Sequence, residues 1–194
     1  WTKLADMPTA RTELASCELD GKIYVIGGSP YKGPWQNTYA VATVEVYDPV
    51  TNSWDTTRAD MHVARQALVV CAVNGKIYAI GGATKHTGTP LRTVEEYDPA
   101  TNTWTTKKPL PSPRSYSAFG IIDNKIYVAG GMPDNISNSN TLLIYDPETD
   151  TWDTTKSPML MFLRTATGAV IKNKFYVIGG LIGPSDGWVA HNTV

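Results

Sequence analysis

The chain of 194 residues is short of cysteine, histidine and charge: it has 2 Cys and 3 His, and Asp, Glu, Lys and Arg make up 18% of it. Two cysteines cannot build a disulfide scaffold, and neither Cys17 nor Cys71 belongs to a C-x-x-C pair. An excess of one charge sign is also missing. Lys and Arg number 17 against 18 Asp and Glu, a net charge of -1, so the composition offers no basic face for a nucleic acid. No run approaches the roughly 20 apolar residues of a membrane helix, so no membrane insertion is expected. No segment sustains a 3.6-residue apolar period, which excludes long helices.

What the chain does have is turn formers, 16 Gly and 13 Pro, and a strong internal repeat. Lys22-Ile23-Tyr24-Val25-Ile26-Gly27-Gly28 returns at Lys76–Gly82, at Lys125–Gly131 and, as Lys-Phe-Tyr-Val-Ile-Gly-Gly, at Lys174–Gly180. The Gly pairs are 54, 49 and 49 residues apart. A second block, Tyr47-Asp48-Pro49 to Trp54, recurs at Tyr97–Trp104 and Tyr145–Trp152, and Trp1 fits the end of the same block. A third mark is arginine. Arg11, Arg65, Arg114 and Arg164 are read as opening the repeats in one register.

Each repeat reads as four short strands. An apolar run such as Ala67–Val73 follows the Arg, and continuous apolarity over that length fits a strand buried on both faces. Asp20-Gly21, Asn74-Gly75, Asp123-Asn124 and Lys172-Asn173 supply tight turns into the strand that ends in Gly-Gly. A longer loop leads to a third strand, Asp-Pro-x-Thr-Asn or Asp makes the next turn, and the Trp begins a fourth strand with a polar tail.

Four antiparallel strands every 50 or so residues describe one blade of a β-propeller. The Gly doublets, the spaced Tyr and Trp and the leading Arg resemble the kelch repeat, and the resemblance covers essentially the whole chain. It implies an all-β, kelch-type β-propeller of four-stranded antiparallel blades, about four of them, over residues 1–194. The repeats span approximately 11–57, 65–107, 114–155 and 164–194, with an N-terminal outer strand at 1–5. His191–Val194 matches the approach to a third strand. Trp1 is expected to lead the outermost strand of the C-terminal unit, giving either a four-bladed ring or, as this reading favours, a segment of a larger propeller. An open arc would leave sheet edges available for self-association.

Catalytic constellations are scarce. His62, His86 and His191 fall in loops without metal-ligand spacing, and Cys17 and Cys71 occupy equivalent inner-strand sites where a thiol serves as a small hydrophobe. Neither a metal nor another cofactor is expected. Asp134–Asn140 is polar but lacks the alternating carboxylates of a calcium loop, and Asn135-Ile136-Ser137 is a glycosylation sequon.

Variation between repeats points to recognition instead. The loops after Gly-Gly, 29–42, 83–92, 132–140 and 181–192, differ in length and content on a regular scaffold. Tyr31, Trp35, Tyr39 and Trp188 are loop aromatics able to anchor a partner. The kelch resemblance implies ligand contacts just after Gly-Gly (Ser29, Ala83, Met132, Leu181) and just after the Arg (Thr12, Gln66, Ser115, Thr165), with Glu13 and Tyr116 one residue on. That set reads as mixed and uncharged, unlike the Arg-rich pocket of kelch adaptors that grip acidic peptides. The expected function is non-catalytic recognition of a protein partner. The competing expectation is a carbohydrate ligand, or a sugar-modifying enzyme resembling a sialic-acid mutarotase.

Overall fold

The computed structural model describes residues 1–30, 39–86, 88–182 and 189–190. These contain strands and no helix. The first blade is β1 (Ala15–Leu19), β2 (Lys22–Ile26), β3 (Val44–Asp48) and β4 (Ser53–Asp55), hydrogen-bonded in that order. The second is β5 (Val69–Val73), β6 (Lys76–Ile80), β7 (Val94–Asp98) and β8 (Thr103–Thr106), and the third is β9 (Ala118–Ile122), β10 (Lys125–Ala129), β11 (Leu142–Asp146) and β12 (Thr151–Asp153). A two-stranded sheet of β13 (Thr167–Ile171) and β14 (Lys174–Ile178) follows. The loop expected after its Gly-Gly holds a short hairpin, β15 (Leu181–Ile182) with β16 (Val189–Ala190).

The blades pack face to face, and the two-residue strand period explains the continuous apolar runs. In blade 2, Val70, Ile77 and Ala79 turn toward blade 1, where they meet Tyr24, Ile26, Val44 and Val46. Their neighbours Val69, Cys71, Tyr78 and Ile80 turn the other way, onto Ile126, Val128 and Leu143 of blade 3. β5 is therefore buried on both faces, whereas β1 and β13 are each exposed at alternate positions or more.

The Tyr and Trp marks form cross-strand pairs. Tyr47 faces Trp54, Tyr97 faces Trp104 and Tyr145 faces Trp152, with ring centroids 5.1, 5.1 and 4.9 Å apart. The Asx of each turn joins them. Asn102 Oδ1 accepts from Tyr97 Oη at 2.7 Å and from the Ala59 amide at 2.8 Å, while the Ala59 carbonyl accepts from Trp104 Nε1 at 2.9 Å. Lys108 is latched in the same way by Asp150 and Trp152, and Ala5 by Asn52 and Trp54. Each latch carries the chain from one blade onto the next.

That pattern corrects the expectation for the N-terminus. Residues 1–5 form no strand and Trp1 is fully exposed, β14 is paired with β13 alone among the described strands, and the amide and carbonyl of Ala5 bond to Asn52 and Trp54 of the first blade. The matched positions 191–194 lie outside the described residues.

Candidate functional site

Antiparallel pairing places the post-glycine loops and the residues after each Arg at one end of the blades, the mouth, and the Asn-Gly and Asp-Pro turns at the other. At the mouth, the blades are joined by backbone. The second glycine of each doublet donates across to the following repeat: Gly28 to the Arg65 carbonyl at 2.9 Å, Gly82 to that of Arg114 at 2.7 Å, and Gly131 to that of Leu163 at 2.7 Å. The first glycine must be a glycine. A Cβ on Gly27 or Gly81 would lie 2.3 Å from the carbonyl oxygen of Arg65 or Arg114, and both residues have positive φ.

The third of these bonds revises the register. Leu163, not Arg164, occupies the position of Arg11, Arg65 and Arg114, and Arg164 sits one place later. Short β-bridges agree: Thr12 pairs with Ser29, Gln66 with Ala83, Ser115 with Met132 and Arg164 with Leu181. The signal was in the spacing. From Arg11, Arg65 and Arg114 to the first glycine is 16 residues, but from Arg164 to Gly179 it is 15. Thr165 therefore belongs to the level of Glu13 and Tyr116, and the mouth gains a guanidinium that the sequence reading left out.

One residue further on, backbone hydrogen bonds form a partial ring, an open arc, along the mouth. Ala67 donates to the Glu13 carbonyl, Tyr116 to that of Ala67 and Thr165 to that of Tyr116, each at 2.9 Å. All four have left-handed backbones, with φ of 52°, 53°, 58° and 55°. All four carry a Cβ, and Glu13, Tyr116 and Thr165 are γ-substituted as well, in a region where such residues are uncommon; strain of this kind gathers at functional sites.

The side chains on this ring converge on Glu13. Its Oε2 accepts from Gln66 Nε2 at 2.5 Å, and its Oε1 accepts from Tyr116 Oη at 2.7 Å and lies 3.2 Å from His86 Nδ1. Tyr116 reaches back over blade 2 because Ala67, between them, is small. Burial, and then the bond to Glu13, push the Tyr116 phenol far up, so it remains a donor. Arg164 directs Nη1 at Met132 Sδ, 2.9 Å away, and burial holds its pKa below the usual value. His86 was read as a plain loop histidine and has instead joined the site.

Behind the ring lie two buried ion pairs. Arg11 meets Glu45 at 2.7 Å and also donates to the carbonyls of Gly27 and Thr43. Arg65 pairs with Glu95 and donates to the carbonyl of Thr93, and Glu95 also accepts from the His62 amide at 2.9 Å. Burial lowers the Arg65 pKa to about 10, still protonated at neutral pH. In blade 3, Leu143 stands where Glu45 and Glu95 do, and Arg114 turns to the Pro113 carbonyl and Thr141 Oγ1. These arginines are scaffold.

The other expected site residues divide by exposure. Thr12 and Thr165 are exposed and Leu181 is half-buried, whereas Ser29, Gln66, Ala83, Ser115 and Met132 are buried in the wall of the mouth. Ser29 spends its hydroxyl on the Tyr39 carbonyl, 3.1 Å away. Tyr39 is exposed and bridges to Lys85, so the first two loops brace each other. Tyr31, Trp35 and Trp188 lie outside the described residues.

A family model described as Kelch motif matches residues 10–57, 64–111 and 113–159. Among curated proteins, Kelch-like protein 25 of Xenopus tropicalis is 31% identical over 187 residues, covering 94% of this chain and 31% of the relative. Beta-scruin of Limulus polyphemus is 28% identical over 192 residues, covering 93% of this chain and 20% of the relative. The chain thus spans a third or less of the length of these relatives. Among solved structures, that of YjhT superposes with a TM-score of 0.83 at 20% identity, covering 93% of this chain and 63% of the other, and shares its fold.

Proposed function

The chain belongs to the kelch-repeat family, and from that premise we propose that it is a non-catalytic recognition scaffold that binds a protein partner through the mouth face. The observation that carries this reading is the pairing of a backbone-bonded arc with irregular loops. The Glu13–Ala67–Tyr116–Thr165 arc fixes the floor by backbone bonds, while the loops above it differ from repeat to repeat and brace one another through Tyr39 and Lys85. Rigid framework under variable loops lowers the ordering cost of binding and lets the rim set specificity.

A photo-crosslinking residue tests it. Placed at Lys85 or Asn135 on the mouth face, it is expected to capture one partner, identified by mass spectrometry and then shown to bind as the purified protein. Placed at Thr101, in the turn at the opposite end, it is expected to capture none. Capture from Thr101 alone, or no binding by the purified partner, would overturn the proposal.

A further inference from the structure

The mouth carries a carboxylate that no lysine or arginine among the described residues pairs. Glu45 and Glu95 are buried against Arg11 and Arg65. Glu13 differs: among the described residues its partners are Gln66, Tyr116 and His86, and no Lys or Arg reaches it. Its side chain keeps 20% of its surface exposed, so it is held on three sides and open on one. The backbone beneath is fixed by the ring.

A second observation concerns Gln66. It is 1% exposed, and because its amide nitrogen is spent on Glu13, its Oε1 faces away with no donor and no access to water. A buried acceptor without a donor is costly, a cost that Gln66 bears while its amide nitrogen holds Glu13. Glu13, part-exposed, is the group of the two that an incoming donor can reach. The phenol ring of Tyr116 adds an aromatic surface of the kind that attracts a cation.

Building on the reading of the mouth as a partner-binding face, we infer that it receives a single basic side chain of the partner, a lysine or an arginine, with Glu13 as its counter-charge and Tyr116 as its aromatic wall. Among the described residues, Arg164 and Lys85 also carry positive charge on this face. They oppose a second positive charge beside the first, so one basic side chain fits better than a polycationic tract. Glu13 accepts the ammonium or guanidinium in charge-assisted hydrogen bonds, and the donors already holding the carboxylate keep it from swinging away.

Amide NMR of the full chain tests the inference with four probes: acetyl-Gly-Lys-Gly-amide, its Arg and Glu counterparts, and methyl glucoside. The Lys or Arg peptide is expected to shift the amides of Glu13, Ala67 and Tyr116, and to bind at least tenfold more tightly than the Glu peptide. Glu13→Gln is expected to weaken the basic peptide at least tenfold with the remaining spectrum unchanged. The comparison of probes on the unmodified chain needs no variant, so a misfolded Glu13→Gln would not leave the matter open. Preference for the Glu peptide or the glucoside, or no shift with any probe at tens of millimolar, would overturn the inference. A purified partner that binds this face without placing a basic residue there would sink the inference alone, and the absence of any partner at this face would sink the reading beneath it.

Discussion

The Tyr116 hydroxyl donates to Glu13 Oε1 across 103 positions of sequence, at 2.7 Å. It ties the third repeat to the first over the top of the second, where Ala67 leaves the space. It joins repeats that are not neighbours, so it reports directly on how the ring is held.

Tyr116→Phe removes that bond while keeping the ring. It is expected to cost about 1 kcal/mol of stability, the net worth of one part-buried hydrogen bond, with somewhat more for one to a carboxylate. Chemical denaturation checks this. A double-mutant cycle with Glu13→Gln should return a coupling of about 0.5–2 kcal/mol. Strict additivity would show that the two residues do not interact in solution.

The latches between blades make a sharper contrast. Asn102→Ala strips an acceptor from both Tyr97 Oη and the Ala59 amide and is expected to cost about 2–3 kcal/mol. Asn102→Asp should cost much less, because Asp150 does the same work for Tyr145 and Lys108. Equal losses in thermal denaturation would refute the equivalence of the repeats.

Glu95→Leu copies into blade 2 what Leu143 is in blade 3. It leaves Arg65, wholly buried, without its counter-charge, and a loss of about 3–5 kcal/mol is expected. Adding Arg65→Met should recover most of that loss. If Glu95→Leu alone were neutral, the pair would contribute nothing to holding the blade.

The turns set the acid limit. Bonds from Lys22, Lys76 and Lys125 hold the carboxyls of Asp48, Asp98 and Asp146 below the usual range, and the Thr155 hydroxyl and amide bring Asp153 to about 2. A carboxyl with a depressed folded-state pKa stabilises the fold above its unfolded pKa, about 3.9. The contribution fades as pH falls through the folded value. Melting temperature is therefore expected to be insensitive to these groups between pH 6 and 8 (about two units or more above their range) and to fall between about pH 4 and 2. A loss beginning near neutral pH would point to other groups.

Burial also pushes the Cys17 thiol up to about 12 and that of Cys71 higher still. Neither should react appreciably with iodoacetamide at neutral pH in the folded chain, and both should react on unfolding. Rapid labelling of Cys17 in the native state would contradict its placement.

The architecture was legible because its marks are steric and repeat. Gly27 cannot carry a Cβ against the Arg65 carbonyl, and Tyr97 needs Trp104 opposite it, so both types recur wherever a blade recurs. The register of the last repeat was legible only by counting to Gly179, since Leu163 replaces the marker and Arg164 imitates it one place late. The convergence on Glu13 was not legible at all. It depends on Ala67 being small and on left-handed backbones at Glu13 and Tyr116, and these act between residues about 50 and 100 positions apart.

Hydrogen exchange of the chain, alone and saturated with its purified partner, tests the proposed role most directly. The account predicts added protection at the amides of Ala67, Tyr116 and Thr165 and in the loops 83–86 and 132–140, with the Asn74-Gly75 and Asp123-Asn124 turns unchanged. Protection confined to those turns, with the ring and loops exchanging as in the free chain, would contradict it.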